Sequence, residues 1–154
     1  MTTGIILFSR TGNTLSVGEK LKEYLLAGKQ AAALERVTAV NEDPNSREKI
    51  KLKSIPDIAQ YDYVIIGAPV QAFSLSPVMK AYLDQIPLIQ GKKVACFVTQ
   101  HFPKPWMGGN RALRQMTGLI SQKGGKVIGT GNVNWTSKAR ENQINDLLAK
   151  LGNI

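Results

Sequence analysis

Short apolar runs of strand character alternate with segments of helical period along this chain, and that alternation leaves few architectures open. A strand that returns in parallel beside its predecessor needs a crossover long enough for a helix, so the helices come to cover both faces of one sheet. Gly4 to Ser9 reads as the first strand, and Asn13 to about Gly28 as the helix after it, with Val17, Gly18, Leu21, Tyr24 and Leu25 on one side. Ala31 to Val40 holds a second, poorer strand. The polar stretch Asn41 to Pro56, with Lys49, Lys51 and Lys53, reads mostly as a connection with room for a helical turn. Tyr61 to Gly67 is the third strand, and Pro69 is expected to end it as an interior strand. Pro77 suits the first turn of a helix carrying Val78, Ala81, Tyr82 and Ile86. Lys93 to Thr99 makes a fourth strand, Asn110 to Lys123 a helix, and Lys126 to Val133 a fifth strand. Ser137 is placed to cap a last helix that buries Ile144, Leu147, Leu148 and Leu151. The expected result is a doubly wound α/β fold whose ligand crevice lies beyond the carboxyl ends of the strands, lined by the loops after Phe8, Gly67 and Thr99.

Residue counts narrow the chemistry. A length of 154 residues suits one domain over 1–154. The longest apolar stretch, around Tyr63 to Val70, falls short of the roughly 20 residues that span a bilayer. Met1 to Gly4 carries no basic leader, so a cytoplasmic location is expected. Cys96 is the only cysteine and lies inside a strand, which excludes an intrachain disulfide and predicts a buried, inert thiol. His101 is the only histidine, which removes His-pair zinc sites; no metal is expected.

The loop Ser9-Arg10-Thr11-Gly12-Asn13-Thr14 falls between the first strand and the first helix, where backbone N–H groups face outward at a helix N-terminus. Three hydroxyls and the Asn13 amide can donate to phosphate oxygens, and Gly12 allows close approach of the backbone. Neither a GxxxxGK[ST] loop nor a GxGxxG fingerprint is present, so one terminal phosphate is the better match.

This loop resembles the flavodoxin family's phosphate loop, [ST]-x-T-G-x-T. The likeness extends to Gly67-Ala68-Pro69-Val70-Gln71-Ala72-Phe73, similar to the family's second flavin loop, and to the stretch from Val94 through Trp106, similar to its third. The resemblance implies a three-layer sandwich with a five-stranded parallel sheet of order 2-1-3-4-5, of the short-chain type, and noncovalent FMN. It implies that Ser9, Thr11, Asn13 and Thr14, with Arg10 and Gly12 in the same loop, hold the phosphate. The isoalloxazine ring would lie between Pro69, Val70, Gln71, Ala72 and Phe73 on one side and Thr99, Gln100, His101, Phe102 and Trp106 on the other. Flavodoxins often present an aromatic residue where this chain has Val70-Gln71, and an acidic one where it has His101.

Charge separates the functional readings. The 20 Lys and Arg against 11 Asp and Glu give +9, and no carboxylate occurs between Asp84 and Glu141. Lys104, Arg111 and Arg114 fall in or just after the third loop, which predicts a basic cofactor rim attracting an acidic redox partner protein, the phosphates of a nicotinamide nucleotide or an anionic, carboxylated substrate. An FMN-binding electron carrier needs only an exposed flavin edge and a partner. The alternative, resembling NAD(P)H-dependent FMN and quinone reductases, also seats a hydride donor about 3 to 3.5 Å from the flavin. His101 is placed to donate to the flavin edge or to protonate a substrate. A nucleic-acid-binding domain would need motifs beyond charge, and none accompanies it. A scaffold without FMN is the remaining reading; stoichiometric FMN would dismiss it.

Overall fold

Side chains on the central strands point alternately to two separate apolar cores, and this alternation is what makes the fold three-layered. The computed structural model describes residues 2–43, 45–102 and 106–153. In chain order the elements are β1 (Thr2–Leu7), α1 (Asn13–Ala27), β2 (Ala31–Arg36), β3 (Thr38–Ala39), β4 (Leu52–Ser54), a 3-10 turn (Ile58–Gln60), β5 (Tyr63–Gln71), β6 (Ser74–Leu75), α2 (Pro77–Gln85), β7 (Lys93–Gln100), α3 (Gly109–Gln122), β8 (Lys126–Asn134) and α4 (Arg140–Gly152). Ile6 of β1, Val64, Ile66 and Ala68 of β5, and Val94, Cys96 and Val98 of β7 face α2 and α3. Ile5, Leu7, Tyr63, Ile65, Ala95 and Phe97 face α1 and α4. Strands apolar on both faces are what a parallel sheet with two helical layers requires.

The main sheet runs β2-β1-β5-β7-β8 with every pairing parallel, the 2-1-3-4-5 order expected for the five principal strands. Three local expectations are corrected. The strand through Pro69 does not stop there: β5 continues to Gln71, with Pro69 in register against Thr99. The Gly67 carbonyl accepts from Phe8 N–H on the β1 side, and alternate residues bond to the same side, so the N–H that Pro69 lacks faces the place where β1 has left the sheet. The connection from Asn41 to Pro56 holds a strand, β4, antiparallel to β3, and the helical turn lies beyond it at Ile58–Gln60. The crossover from β2 to β5 is therefore built from this small hairpin instead of an α-helix. Ser137 does not cap α4: its Oγ accepts from the N–H of Ala139, two residues on, and the helix starts at Arg140 with Ala139 at its N-cap. No helix among the described residues is long and apolar enough to cross a membrane.

Candidate functional site

The loop from Ser9 to Gly12 leaves β1 and enters α1 through Gly12, whose φ of 96° is the left-handed conformation that glycine tolerates. The first backbone bond into α1 is Ser16 N–H to the Gly12 carbonyl at 2.9 Å. Ahead of it, the N–H groups of Thr11, Gly12, Asn13 and Thr14 meet no acceptor among the described residues, while Ser9 Oγ accepts from Leu15 N–H at 3.1 Å. A hydroxyl that accepts keeps its hydrogen, so Ser9 adds a further donor at the positive end of the α1 dipole. Thr14 is buried with its Oγ1 2.8 Å from Thr99 Oγ1. One of these two hydroxyls donates to the other, which leaves the pair one hydrogen for anything bound there. Arg10 donates to the Glu42 carbonyl, and Arg36 Nη2 donates to the Ser9 carbonyl at 3.1 Å. Two guanidiniums thus flank a loop of neutral donors.

The second loop is a tight hairpin. β5 and β6 pair antiparallel, with Gln71 opposite Ser74, so Ala72 and Phe73 form the two-residue connection. Their φ values, 50° and 60°, are both positive, as the primed hairpin turns require, although Asn and Gly are the residues that usually supply them. α3 holds this turn in place: a Cβ on Gly108, itself at φ 114°, would lie 2.7 Å from Val70 Cγ1 and 2.8 Å from Phe73 Cα. Gln115 of α3 completes the clamp, its Oε1 accepting from Ser74 Oγ and Leu75 N–H, both at 2.8 Å.

A partly buried amide relay anchors the third loop. Asn132 Nδ2 donates to Gln100 Oε1 at 3.0 Å, and Gln100 Nε2 donates to the Phe102 carbonyl at 2.6 Å. From the next loop, Trp135 N–H donates to the Gln100 carbonyl at 2.7 Å, and Thr136 Oγ1 to that of His101 at 2.7 Å. The rings of Phe73 and Phe102 stack on each other, centroids 5.5 Å apart and 7° from parallel. A planar group between them would need about 7 Å, two van der Waals contacts, so these rings form one wall and not two jaws. Trp106 is 73% exposed and lines neither cavity of the site.

A cavity of about 370 Å³ brings the three loops together: Arg10, Thr11 and Asn13 from the first, Pro69, Val70 and Gln71 from the second, Thr99, Gln100 and His101 from the third. A smaller one of about 160 Å³ shares Val70, Gln100 and His101 with it and adds Ala72, Phe73, Phe102 and Met107. Ser9, Gly12 and Thr14 stand behind the larger cavity as its loop framework. The rim differs from the basic one expected. Arg111 and Arg114 stand on α3 and line neither cavity, and Lys104 lies outside the described residues. Glu42, Asp43 and Glu48 instead gather beside Gln71, because the connection after β3 folds back along the site. Cys96 is fully buried between the layers, and burial pushes its thiol up to about 12.

Sequence reasoning missed Arg36, Glu42 and Asn132. The order β2-β1 contained a signal for Arg36, since it puts the carboxyl end of β2 beside that of β1, with Arg36 opposite Leu7. Glu42 and Asn132 had no such signal.

No family model matches this sequence, and no curated protein does. Solved structures do. The two-electron reduced flavodoxin of Megasphaera elsdenii superposes with a TM-score of 0.72 at 20% identity, over 99% of each chain. A flavodoxin, WrbA-like protein from Agrobacterium tumefaciens gives 0.71 at 17% identity, over 99% of this chain and 95% of that one. The fold is that of a flavodoxin. A flavoprotein from Lactobacillus acidophilus, solved in complex with FMN, shares this flavodoxin-like fold with a TM-score of 0.64 at 20% identity, over 94% of this chain and 97% of that one. At these identities the likeness is one of fold. In a flavodoxin-like fold, the three loops above occupy the carboxyl ends of the first, third and fourth strands of the main sheet.

Proposed function

We propose that the chain is a single FMN-binding domain over 1–154 that transfers electrons through a noncovalently held flavin. The observation that carries this reading is the convergence of the three loops on one cavity of about 370 Å³, a volume in the range of cofactor sites, with unaccepted N–H groups at one end. The residues fit the cofactor. A phosphate finds the N–H groups of Thr11 to Thr14, the Ser9 hydroxyl and the positive end of α1, with Arg10 and Arg36 adding charge. A flat ring finds apolar cover from Pro69 and Val70 and polar groups from Gln71, Gln100 and His101. When bound, the flavin supplies one- and two-electron redox chemistry; the chain's own residues bind it, orient it and limit water at one face. The likeness in fold to flavodoxins and to a flavoprotein solved with FMN supports the same reading.

A second reading, an NAD(P)H-dependent FMN or quinone oxidoreductase, is favoured by the smaller cavity, which shares Val70, Gln100 and His101 with the larger and offers a seat for a second planar group. An anaerobic absorbance titration separates them. FMN that binds stoichiometrically and is reduced only by dithionite supports the carrier; rapid bleaching by NADPH or NADH supports the oxidoreductase. Failure to bind FMN removes both and leaves the scaffold reading.

A further inference from the structure

Away from the loops, α2 and α3 flank an open groove of about 240 Å³ lined by Lys80, Arg114, Gln115, Gly118, Leu119 and Gln122. Its charged groups are both cationic, and among the described residues neither has a carboxylate within 4.0 Å. Asp84, one turn beyond Lys80, is not among the lining residues. The orientation of Gln115 is settled by its partners, because Leu75 N–H must meet an oxygen; Nε2 is therefore the fork turned away from the hairpin, with no acceptor among the described residues. Gly118 stands in the interior of α3, where glycine weakens a helix, yet neither backbone nor packing requires it: its φ is not positive and a Cβ there would meet nothing within 4 Å. It is a lining residue of the groove, where any side chain would take up space.

We propose that this groove binds a small multivalent anion, through Lys80, Arg114 and the Gln115 amide, with carboxylate or phosphate oxygens as the recognised groups. A groove of this size has room for a tricarboxylate or a pyrophosphate. Two cations, the fixed Gln115 amide and no carboxylate among the lining residues are complementary to that class and to no cation.

The test is an NMR titration of the full chain with citrate and, separately, with pyrophosphate. The expected result is a saturable shift of the Gln115 side-chain amide and of the Leu75 backbone amide that it holds. Arg114→Gln and Lys80→Gln should each weaken binding about tenfold, the loss of one charge-assisted contact. Gly118→Ala should raise the melting temperature by roughly 2 to 4 °C while lowering anion affinity, because its Cβ takes up space in the groove. Saturation by citrate alone assigns a carboxylate ligand; saturation by pyrophosphate alone assigns a phosphate. Shifts confined to Thr11 and Gly12, the absence of saturation with either anion, or an Arg114→Gln protein of unchanged affinity would overturn the site. So would a Gly118→Ala protein that gains stability and keeps its affinity.

Discussion

Thr14 and Thr99 are 85 residues apart in sequence, yet their hydroxyl oxygens lie 2.8 Å apart in a buried contact that ties the first loop to the third. That contact gives the threonines of the first loop different jobs. Thr14→Val would leave the Thr99 hydroxyl buried and unpaired, so a loss of about 1 to 3 kcal/mol in a denaturant melt of the protein without cofactor is expected. Thr11 is exposed, and Thr11→Ala should leave that melt within about 0.5 kcal/mol while weakening FMN roughly tenfold in a fluorescence titration. Equal effects of both variants on both measurements would contradict this division. Cys96 makes a pH-dependent contribution. Its thiol is raised from 9.0 to about 12 by burial, so the folded state favours the neutral form. The associated stability is whole below pH 9 and is lost as pH rises towards 12, by about 1.4 kcal/mol per unit. Melts of Cys96→Ala should show a shallower decline over pH 9 to 12 than the parent protein.

At the level of elements, the β5–β6 hairpin and the start of α3 are one mechanical unit. Ala72 and Phe73 hold left-handed backbone conformations that cost an L-residue about 1 to 2 kcal/mol each, and the α3 clamp through Gln115 sustains them. Ala72→Gly should therefore stabilise the protein by roughly 0.5 to 1 kcal/mol, since the strain it removes exceeds the cost of the extra entropy that glycine gives the unfolded chain. The two glycines at helix starts should behave differently. Gly12→Ala meets open space and costs only the backbone strain, about 1 to 2 kcal/mol, whereas Gly108→Ala also drives a Cβ into Val70 and Phe73 and should cost more. Thermal melts of the three variants check the order.

Across the whole molecule, charge is sorted by sheet end. Lys93 and Lys126 stand opposite each other at the amino ends of β7 and β8, and Lys92 and Lys123 flank them, bonded to the Tyr61 and Asp84 carbonyls. The carboxyl ends carry Arg10 and Arg36 beside Glu42, Asp43 and Glu48. Much of the excess positive charge thus sits away from the proposed redox site, and a partner approaching that site meets both signs. Like charges directly across a ladder repel, so Lys126→Glu should add about 0.5 kcal/mol of stability at low salt, diminishing as salt screens the pair. FMN affinity should be unchanged, since the substitution lies at the opposite end of the sheet; a loss of affinity would place the flavin elsewhere.

Periodicity, turn chemistry and one loop motif were enough to determine the five principal strands, the two-layer helix cover and the three loops at the carboxyl ends, because these follow from local patterns of apolar residues and from the lengths of the crossovers. Distances across the sheet were outside their reach. Only the tertiary structure decided that β5 runs through Pro69, since this depends on where the neighbouring strand leaves. It alone showed Phe102 stacked on Phe73, Thr14 joined to Thr99, and the polar connection after β3 folded back to bring carboxylates to the site. The physical reason is common to all four: a local pattern says which way a side chain faces, while its partner is chosen by the packing of segments distant in sequence.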